Sequence, residues 1–160
     1  MKGMENRFLR GLNWVLERAL VLLGVLISAI VFTQVVFRYL LKQPIFWSEE
    51  LPRYLLIWST FLAAALVQKD MGHMNITLVV CRMPIKVQKG IRIITNIIIL
   101  GFLGILVYSG SVVANITLYH RSTALQIPMA AVYLALPVGG ILMMVYLFQQ
   151  IYKGVTGRTK

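Results

Sequence analysis

The sequence is poor in the residues that most metal and redox sites use. Its 160 residues include one cysteine, Cys81, and two histidines, His73 and His120. One cysteine cannot form a disulfide framework, a cysteine-based metal cluster or a dithiol redox pair within the chain. Both histidines fall beside charged residues at the ends of apolar segments, whereas a haem-binding membrane protein carries histidines inside its helices. We therefore expect no metal and no cofactor.

Charged residues are also scarce. They make up 13% of the chain, hydrophobic residues make up 59%, and the mean hydropathy is +0.79. A soluble domain typically carries about 25% charged residues, so this chain has too little polar surface to cover itself in water. The net charge of +11 does not indicate a nucleic-acid partner, because the basic residues stand at the ends of apolar runs. The composition predicts a lipid-embedded protein.

Four long stretches lack charge, and three of them are long enough to cross a hydrocarbon core of about 30 Å. The second, Tyr54–Gln68, is long enough when it extends upstream, with the turn of Glu49, Glu50 and Arg53 in the headgroup layer. The four stretches predict an all-α integral membrane protein forming a single domain over 1–160. The approximate spans are 15–38, 48–69, 92–119 and 123–152. The first stretch, Ala19–Phe37, exceeds the apolar region of a secretory signal and is followed by no small-residue cleavage site. We interpret it as an uncleaved anchor.

The basic residues are distributed unequally between the two sides that this plan creates. The N-terminal segment, the second connection and the tail together carry 12, namely Lys2, Arg7, Arg10, Arg18, Lys69, Arg82, Lys86, Lys89, Arg92, Lys153, Arg158 and Lys160. The first and third connections carry four, Arg38, Lys42, Arg53 and Arg121. The positive-inside rule therefore predicts that both termini are cytoplasmic.

Two further segments are typical of helices that lie at a membrane surface. In 5–18, Phe8, Leu12 and Val15 recur at helical spacing opposite basic residues. Segment 74–90 is too apolar for a free loop and too short to cross, which predicts a second amphipathic helix. An ordinary basic loop is the alternative for 74–90.

The predicted spans have no Asp, Glu, Lys, Arg or His near their middle. Ion-coupled carriers usually place ionisable groups there, because a buried charge marks the ion path. The chain also lacks a nucleophile with a base, a glycine-rich phosphate loop and paired carboxylates in a pocket. We predict that it is not an enzyme.

Small residues recur every fourth position on the last two spans, where they allow helix backbones to approach closely. The predicted helix-packing residues are Gly110, Ala114, Ala131, Ala135 and Gly139. Pro137 is expected to bend the last span.

The remaining candidate site is a charged and aromatic cluster before the second span, formed by Arg38, Trp47, Glu49, Glu50 and Arg53. Ser48 and the two glutamates fit a capped helix start, and Arg53 has the spacing to pair with either glutamate along one helix face. Two carboxylates at the membrane surface are more than one cap needs, so we favour a partner-docking role. A purely structural helix start is the alternative.

The same region carries a family resemblance. The string Phe37-Arg38-Tyr39, then Pro44, Trp47-Ser48-Glu49-Glu50-Leu51 and Arg53-Tyr54-Leu55-Leu56-Ile57-Trp58, resembles the small membrane subunit (Q, DctQ-like) of tripartite ATP-independent periplasmic (TRAP) transporters. The resemblance is densest over Val31–Val80, and the four-span plan agrees with it. Pro52 stands where a helix former such as Ala is expected.

The resemblance implies a sodium-driven uptake system in a bacterial inner membrane. A periplasmic binding protein captures an organic acid, such as sialic acid or a C4-dicarboxylate, and a large membrane subunit moves it inward. The small subunit binds the large subunit tightly and acts as a scaffold in the lipid bilayer. Two alternatives remain: an accessory membrane subunit of another complex, and a stand-alone four-helix carrier. A small multidrug carrier needs a glutamate in its first span, and Ala19–Phe37 has none.

Overall fold

The computed structural model describes residues 2–43, 45–74 and 85–155, with side chains for most of 10–151. The described chain is helical and contains no strand. Its α-helices are α1 (Lys2–Tyr39), α2 (Glu50–Met74), α3 (Ile85–Ile116), α4 (Ala130–Tyr133) and α5 (Ala135–Val155). Two 3₁₀ turns, Phe46–Ser48 and Thr117–Tyr119, precede α2 and follow α3. The predicted all-α class is confirmed.

Four helical segments are long and apolar enough to cross a membrane, as predicted. They are Arg10–Tyr39, Phe46–Gln68, Ile93–Tyr119 and Ala130–Ile151. Helices suit these sequences because lipid offers no hydrogen bonds, so every backbone amide must find its partner within the segment. Segment 5–18 continues into the first span as part of α1, and 85–90 begins α3. Residues 75–84 of the second predicted surface segment lie outside the described residues.

The last span is divided into two helices one turn before Pro137. A proline has no amide hydrogen, so the carbonyl of Tyr133 cannot receive the usual helical hydrogen bond from residue 137. The first helix ends at Tyr133 and the second begins at Ala135. Helical hydrogen bonding continues where the Val138 amide donates to the Leu134 carbonyl at 3.1 Å. Pro137 therefore accounts for the separation of α4 from α5.

The long helices pack as a row in the order α1, α2, α5, α3. Two adjacent glycines allow α5 to sit in the middle. A Cβ at Gly139 would lie 2.6 Å from Phe61 Cβ on α2, and one at Gly140 would lie 2.6 Å from Val107 Cγ2 on α3. The backbone of α5 thus approaches both neighbours closely, which increases van der Waals contact where lipid provides no hydrophobic drive.

α1 also contacts α5 at the end of the molecule where α1 begins. Leu16, Ala65 and Tyr146 form a buried cluster that joins α1, α2 and α5. The Tyr146 hydroxyl donates to Asn13 Oδ1 at 2.6 Å, which satisfies a phenol that is only 2% exposed.

At the opposite end, residues 120–129 form a short hairpin between α3 and α4, which we call the α3–α4 loop. The Met129 amide donates to the His120 carbonyl at 2.8 Å, and the Ser122 amide donates to the Ile127 carbonyl at 2.9 Å. Gln126 takes a left-handed conformation, with φ of 54°, and its side-chain amide donates to the Thr123 carbonyl. The loop is therefore ordered by its own hydrogen bonds.

Candidate docking site at the loop end of the helices

The predicted cluster lies where α1 ends and α2 begins, beside the α3–α4 loop. Arg38 is in the last turn of α1, Trp47 is in the 3₁₀ turn, and Glu50 is the first residue of α2. The connection turns sharply at Lys42, whose φ is 52°. This end of the molecule, formed by residues 38–43 and 45–53 and by the α3–α4 loop, is called the loop end below.

Arg38 and Glu49 form an open ion pair between α1 and the start of α2. Arg38 Nη1 lies 3.4 Å from Glu49 Oε1, and the two side chains are 58% and 60% exposed. Exposed pairs of this kind contribute about 0–1 kcal/mol to folding. Both groups therefore remain available for further contacts. Arg53 is exposed and, in the described part of the chain, pairs with neither glutamate.

Glu50 is held quite differently from Glu49. The Ser122 hydroxyl donates to Glu50 Oε2 at 2.6 Å, and the amides of Ala124 and Leu125 donate to Oε1 and Oε2 at 3.1 and 3.2 Å. The Leu125 amide also lies 3.2 Å from Ser122 Oγ, and Ser122 is 1% exposed. A carboxylate that accepts several hydrogen bonds forms a strong charge-assisted contact. Glu50 thus fastens the α3–α4 loop to the start of α2.

Ser48 does not cap α2 as its position predicts. It is buried, and its hydroxyl donates to the Ile45 carbonyl at 2.7 Å, which closes the 3₁₀ turn instead. The reason is that α2 begins later, at Glu50. Pro52 then falls in the first turn, where an amide hydrogen has no partner within the helix, so it interrupts nothing.

Trp47 lines a shallow apolar groove between α1 and the 3₁₀ turn. The groove has a volume of about 130 Å³ and is lined by Ala29, Ile30, Thr33, Ile45, Trp47 and Ser48. The indole is 43% exposed. An aromatic ring that is apolar on one face and wet at its edge is typical of a membrane interface or a protein contact.

The predicted helix-packing residues are found along α5 and its neighbours. A Cβ at Gly110 would lie 2.8 Å from Leu136 Cβ, and Ala114 and Ala135 are buried. The Ala131 carbonyl accepts a hydrogen bond from Trp58 Nε1 at 3.2 Å, which ties α4 to α2. Gly139 contacts Phe61, as described above.

Sequence reasoning missed the partners of these residues. Ser122 and Glu50 are 72 positions apart, Trp58 and Ala131 are 73 apart, and Asn13 and Tyr146 are 133 apart. A single sequence contains no signal that pairs such distant positions. The α3–α4 loop could be located only as a short polar break between two spans.

Among the described residues, no three His, Cys, Asp or Glu side chains gather closely enough to hold a metal ion. The carboxylate of Glu50 is fully engaged by hydrogen-bond donors, and that of Glu49 faces a guanidinium. The exposed side chains at the loop end include the basic Lys42 and Arg121 and the aromatic Phe46 and Trp47, beside apolar neighbours such as Leu40.

Comparisons with known proteins match the chain to one family of transporter components. Residues 27–157 match a family described as tripartite ATP-independent periplasmic transporters, DctQ component. The chain is 30% identical over 151 residues to the sialic acid TRAP transporter small permease protein SiaQ of Vibrio cholerae, covering 94% of this chain and 86% of that protein. It is 28% identical to a putative TRAP transporter small permease protein of Haemophilus influenzae, covering 88% and 87%. It is also 29% identical over 107 residues to the isethionate TRAP transporter permease protein DctMQ of Oleidesulfovibrio alaskensis, covering 66% of this chain and 17% of that protein.

Proposed function

This chain belongs to the DctQ component family and is a small permease subunit of a TRAP transporter, and from that premise we propose that it scaffolds a larger membrane subunit during sodium-driven uptake of an organic acid. As a transporter component it is not an enzyme. The solute arrives on a periplasmic binding protein, and the complex lies in a bacterial inner membrane. The observation that carries the scaffold role is the open row of helices.

A row of helices leaves both of its broad faces uncovered. None of the most apolar part of the α1 span is buried inside the chain, and only 17% of that of α3 is. Lipid can cover such faces, but so can the helices of a partner. A partner in the membrane is supported by DctMQ, in which the matching region is part of a much longer permease chain.

The chain is a poor candidate for the ion or solute path itself. The four spans have no Asp, Glu, Lys, Arg or His near their middle, where ion-coupled carriers usually place such groups. The sodium site and the solute site therefore belong to the larger subunit. The names of relatives include sialic acid and isethionate, which are both organic acids. This chemistry supports the same class of solute here.

We also propose that the loop end faces the periplasm. The hydrogen bonds of Glu50 place the first and third connections at one end of the molecule, and these are the connections with only four basic residues. Both termini are then cytoplasmic by the positive-inside rule. Cysteines introduced at Lys42 and Arg121 should react with an impermeant reagent added outside, and cysteines at Lys86 and Lys160 should not. External labelling at Lys86 would overturn this orientation.

The predicted cluster serves as the contact with the other subunits in this proposal. Arg38, Trp47, Glu49 and Arg53 present exposed charge and indole at the loop end. Removing one member of a desolvated charge pair at an interface costs about 2–5 kcal/mol, whereas losing an exposed pair costs little. Glu49→Ala and Trp47→Ala should therefore lower co-purification with the large subunit or uptake without lowering the melting temperature of the free subunit. Early melting with normal uptake by the surviving complex would show that the cluster only supports the helix start.

Reconstitution tests the function as a whole. In liposomes with an inward sodium gradient, the purified chain alone should give no uptake of sialic acid, a C4-dicarboxylate or isethionate. Adding the large subunit and the binding protein should produce sodium-dependent uptake of one such acid. Saturable, sodium-dependent uptake by this chain alone would overturn the scaffold role.

A further inference from the structure

The contact between Glu50 and the α3–α4 loop is more elaborate than a helix start requires. One acceptor is enough to begin a helix, yet Glu50 receives a hydroxyl and two consecutive amides from a segment more than 70 residues away. Those three donors come from Ser122, Ala124 and Leu125, which form the turn of the loop. Glu50 therefore fixes the position of the tip of the loop relative to α2.

The fixed loop presents its outward surface to solvent. His120, Arg121, Thr123, Ala124, Gln126 and Pro128 are exposed, whereas Ser122 is buried against Glu50. The same end exposes Lys42 and Arg53, and no carboxylate pairs with Lys42, Arg53 or Arg121 in the described part of the chain. Glu50 is engaged by the loop, and the exposed Glu49 is balanced by Arg38. Lys42, Arg53 and Arg121 therefore give this surface a net positive charge.

We propose that Glu50 is a positioning residue that holds the α3–α4 loop as a docking surface for an acidic face of the periplasmic binding protein. The inference rests on the proposed function, because it needs a soluble partner on the side of the loop end. Charge complementarity favours an acidic partner surface, since positive charge on one partner steers and orients a negative surface on the other. Anionic lipid headgroups attract the same charges, but a headgroup does not need a hairpin fixed by three hydrogen bonds.

The mechanism predicts a specific kinetic signature. A loop that is released from Glu50 keeps its own hydrogen bonds but takes up many positions relative to α2. The apparent affinity then falls with the fraction of molecules that hold the loop in the binding position. Maximal turnover is set by the large subunit and does not depend on the loop. Glu50→Gln keeps the length of the side chain but removes the charge and turns an NH₂ group toward amide donors. Ser122→Ala removes one of the three donors. Ser111→Ala is its matched control, because the Ser111 hydroxyl donates to the Val107 carbonyl of its own helix, outside the loop.

The experiment uses the complete transporter in liposomes and measures the uptake rate against the concentration of binding protein. Glu50→Gln and Ser122→Ala should raise the half-saturating concentration by roughly tenfold, the equivalent of losing one hydrogen bond to a charged group, with the maximal rate within about twofold of the parent. Ser111→Ala should change neither value. Arg121→Gln should raise the half-saturating concentration at low salt and lose that effect at high salt.

Each other result decides against the proposal. A lower maximal rate with an unchanged half-saturating concentration, or failure of Ser122→Ala to assemble with the large subunit, would show that the contact serves folding alone. An Arg121→Gln effect that appears only in liposomes with anionic lipid would assign the surface to the membrane. If the parent transporter shows no dependence on a binding protein, the proposed function fails, whereas a responsive parent with unchanged variants refutes only the role of Glu50.

Discussion

α1 and α5 are both long apolar helices, yet the chain encloses one and leaves the other open. In the last span, Ala130–Ile151, which contains α5, 39% of the most apolar stretch is buried inside the chain, whereas none of that of the α1 span is buried. α5 has glycines on two faces and a neighbour on each, whereas α1 packs mainly on α2 along one face. In lipid, hydrophobicity does not distinguish these helices, because lipid tails are as apolar as leucine. Close backbone approach decides which helix becomes the centre.

The largest effect is expected where α5 meets α2. Gly139→Leu places a side chain where even a Cβ lies 2.6 Å from Phe61 Cβ, an atom fixed to the α2 backbone, so the helices must separate. Overpacking a tight interior costs about 1–3 kcal/mol and occasionally more, and we expect the upper part of that range or beyond. The yield of folded protein in detergent should fall severely.

Gly104→Leu is the matched control for that substitution. It lies on α3, and nothing is within 4 Å of its Cβ position. The free subunit should tolerate it. Equal yields for the two variants would mean that α5 does not approach α2 as closely as described.

An intermediate effect is expected from shortening one leucine on each helix. Leu147 on α5 is 0% exposed, and Leu22 on α1 is 61% exposed. Leu147→Ala should destabilise the free subunit by about 2–5 kcal/mol, because it leaves a cavity. Leu22→Ala should change its stability by no more than about 0.5 kcal/mol. Thermal unfolding of the two variants in one detergent compares them directly.

The same two variants also test whether lipid or the large subunit covers α1. If the large subunit packs on this face, Leu22→Ala should lower the yield of the complex while the free subunit melts normally. An unchanged complex yield would leave this face of α1 to lipid. Equal destabilisation by both variants in the free subunit would remove the contrast between α1 and α5.

The sequence predicts the four helices well because each is determined locally, by a run of apolar residues that must satisfy its own backbone. It does not predict the row, because the order of the helices depends on contacts between distant positions such as Gly139 with Phe61. The candidate site is likewise predicted by the sequence only in part. Its position next to α2 is evident from adjacent charges, and the partner-docking role of the cluster stays a prediction. The different environments of Glu49 and Glu50 are not evident, because the donors to Glu50 come from the α3–α4 loop.

The smallest effect is expected where α1 and α5 do touch. Tyr146→Phe removes the hydroxyl that donates to Asn13 Oδ1 at 2.6 Å and leaves the buried ring in place. Hydrogen bonds between membrane helices contribute about 0.6 kcal/mol on average, so the melting temperature should fall only slightly. Tyr108→Phe is the control, since Tyr108 is 73% exposed and makes no such bond. A double-mutant cycle with Asn13→Leu isolates the coupling of the pair, because the second substitution should cost nothing further once the hydroxyl is gone. Additive losses in that cycle would mean that Asn13 and Tyr146 act separately and that the hydrogen bond does not hold α1 against α5.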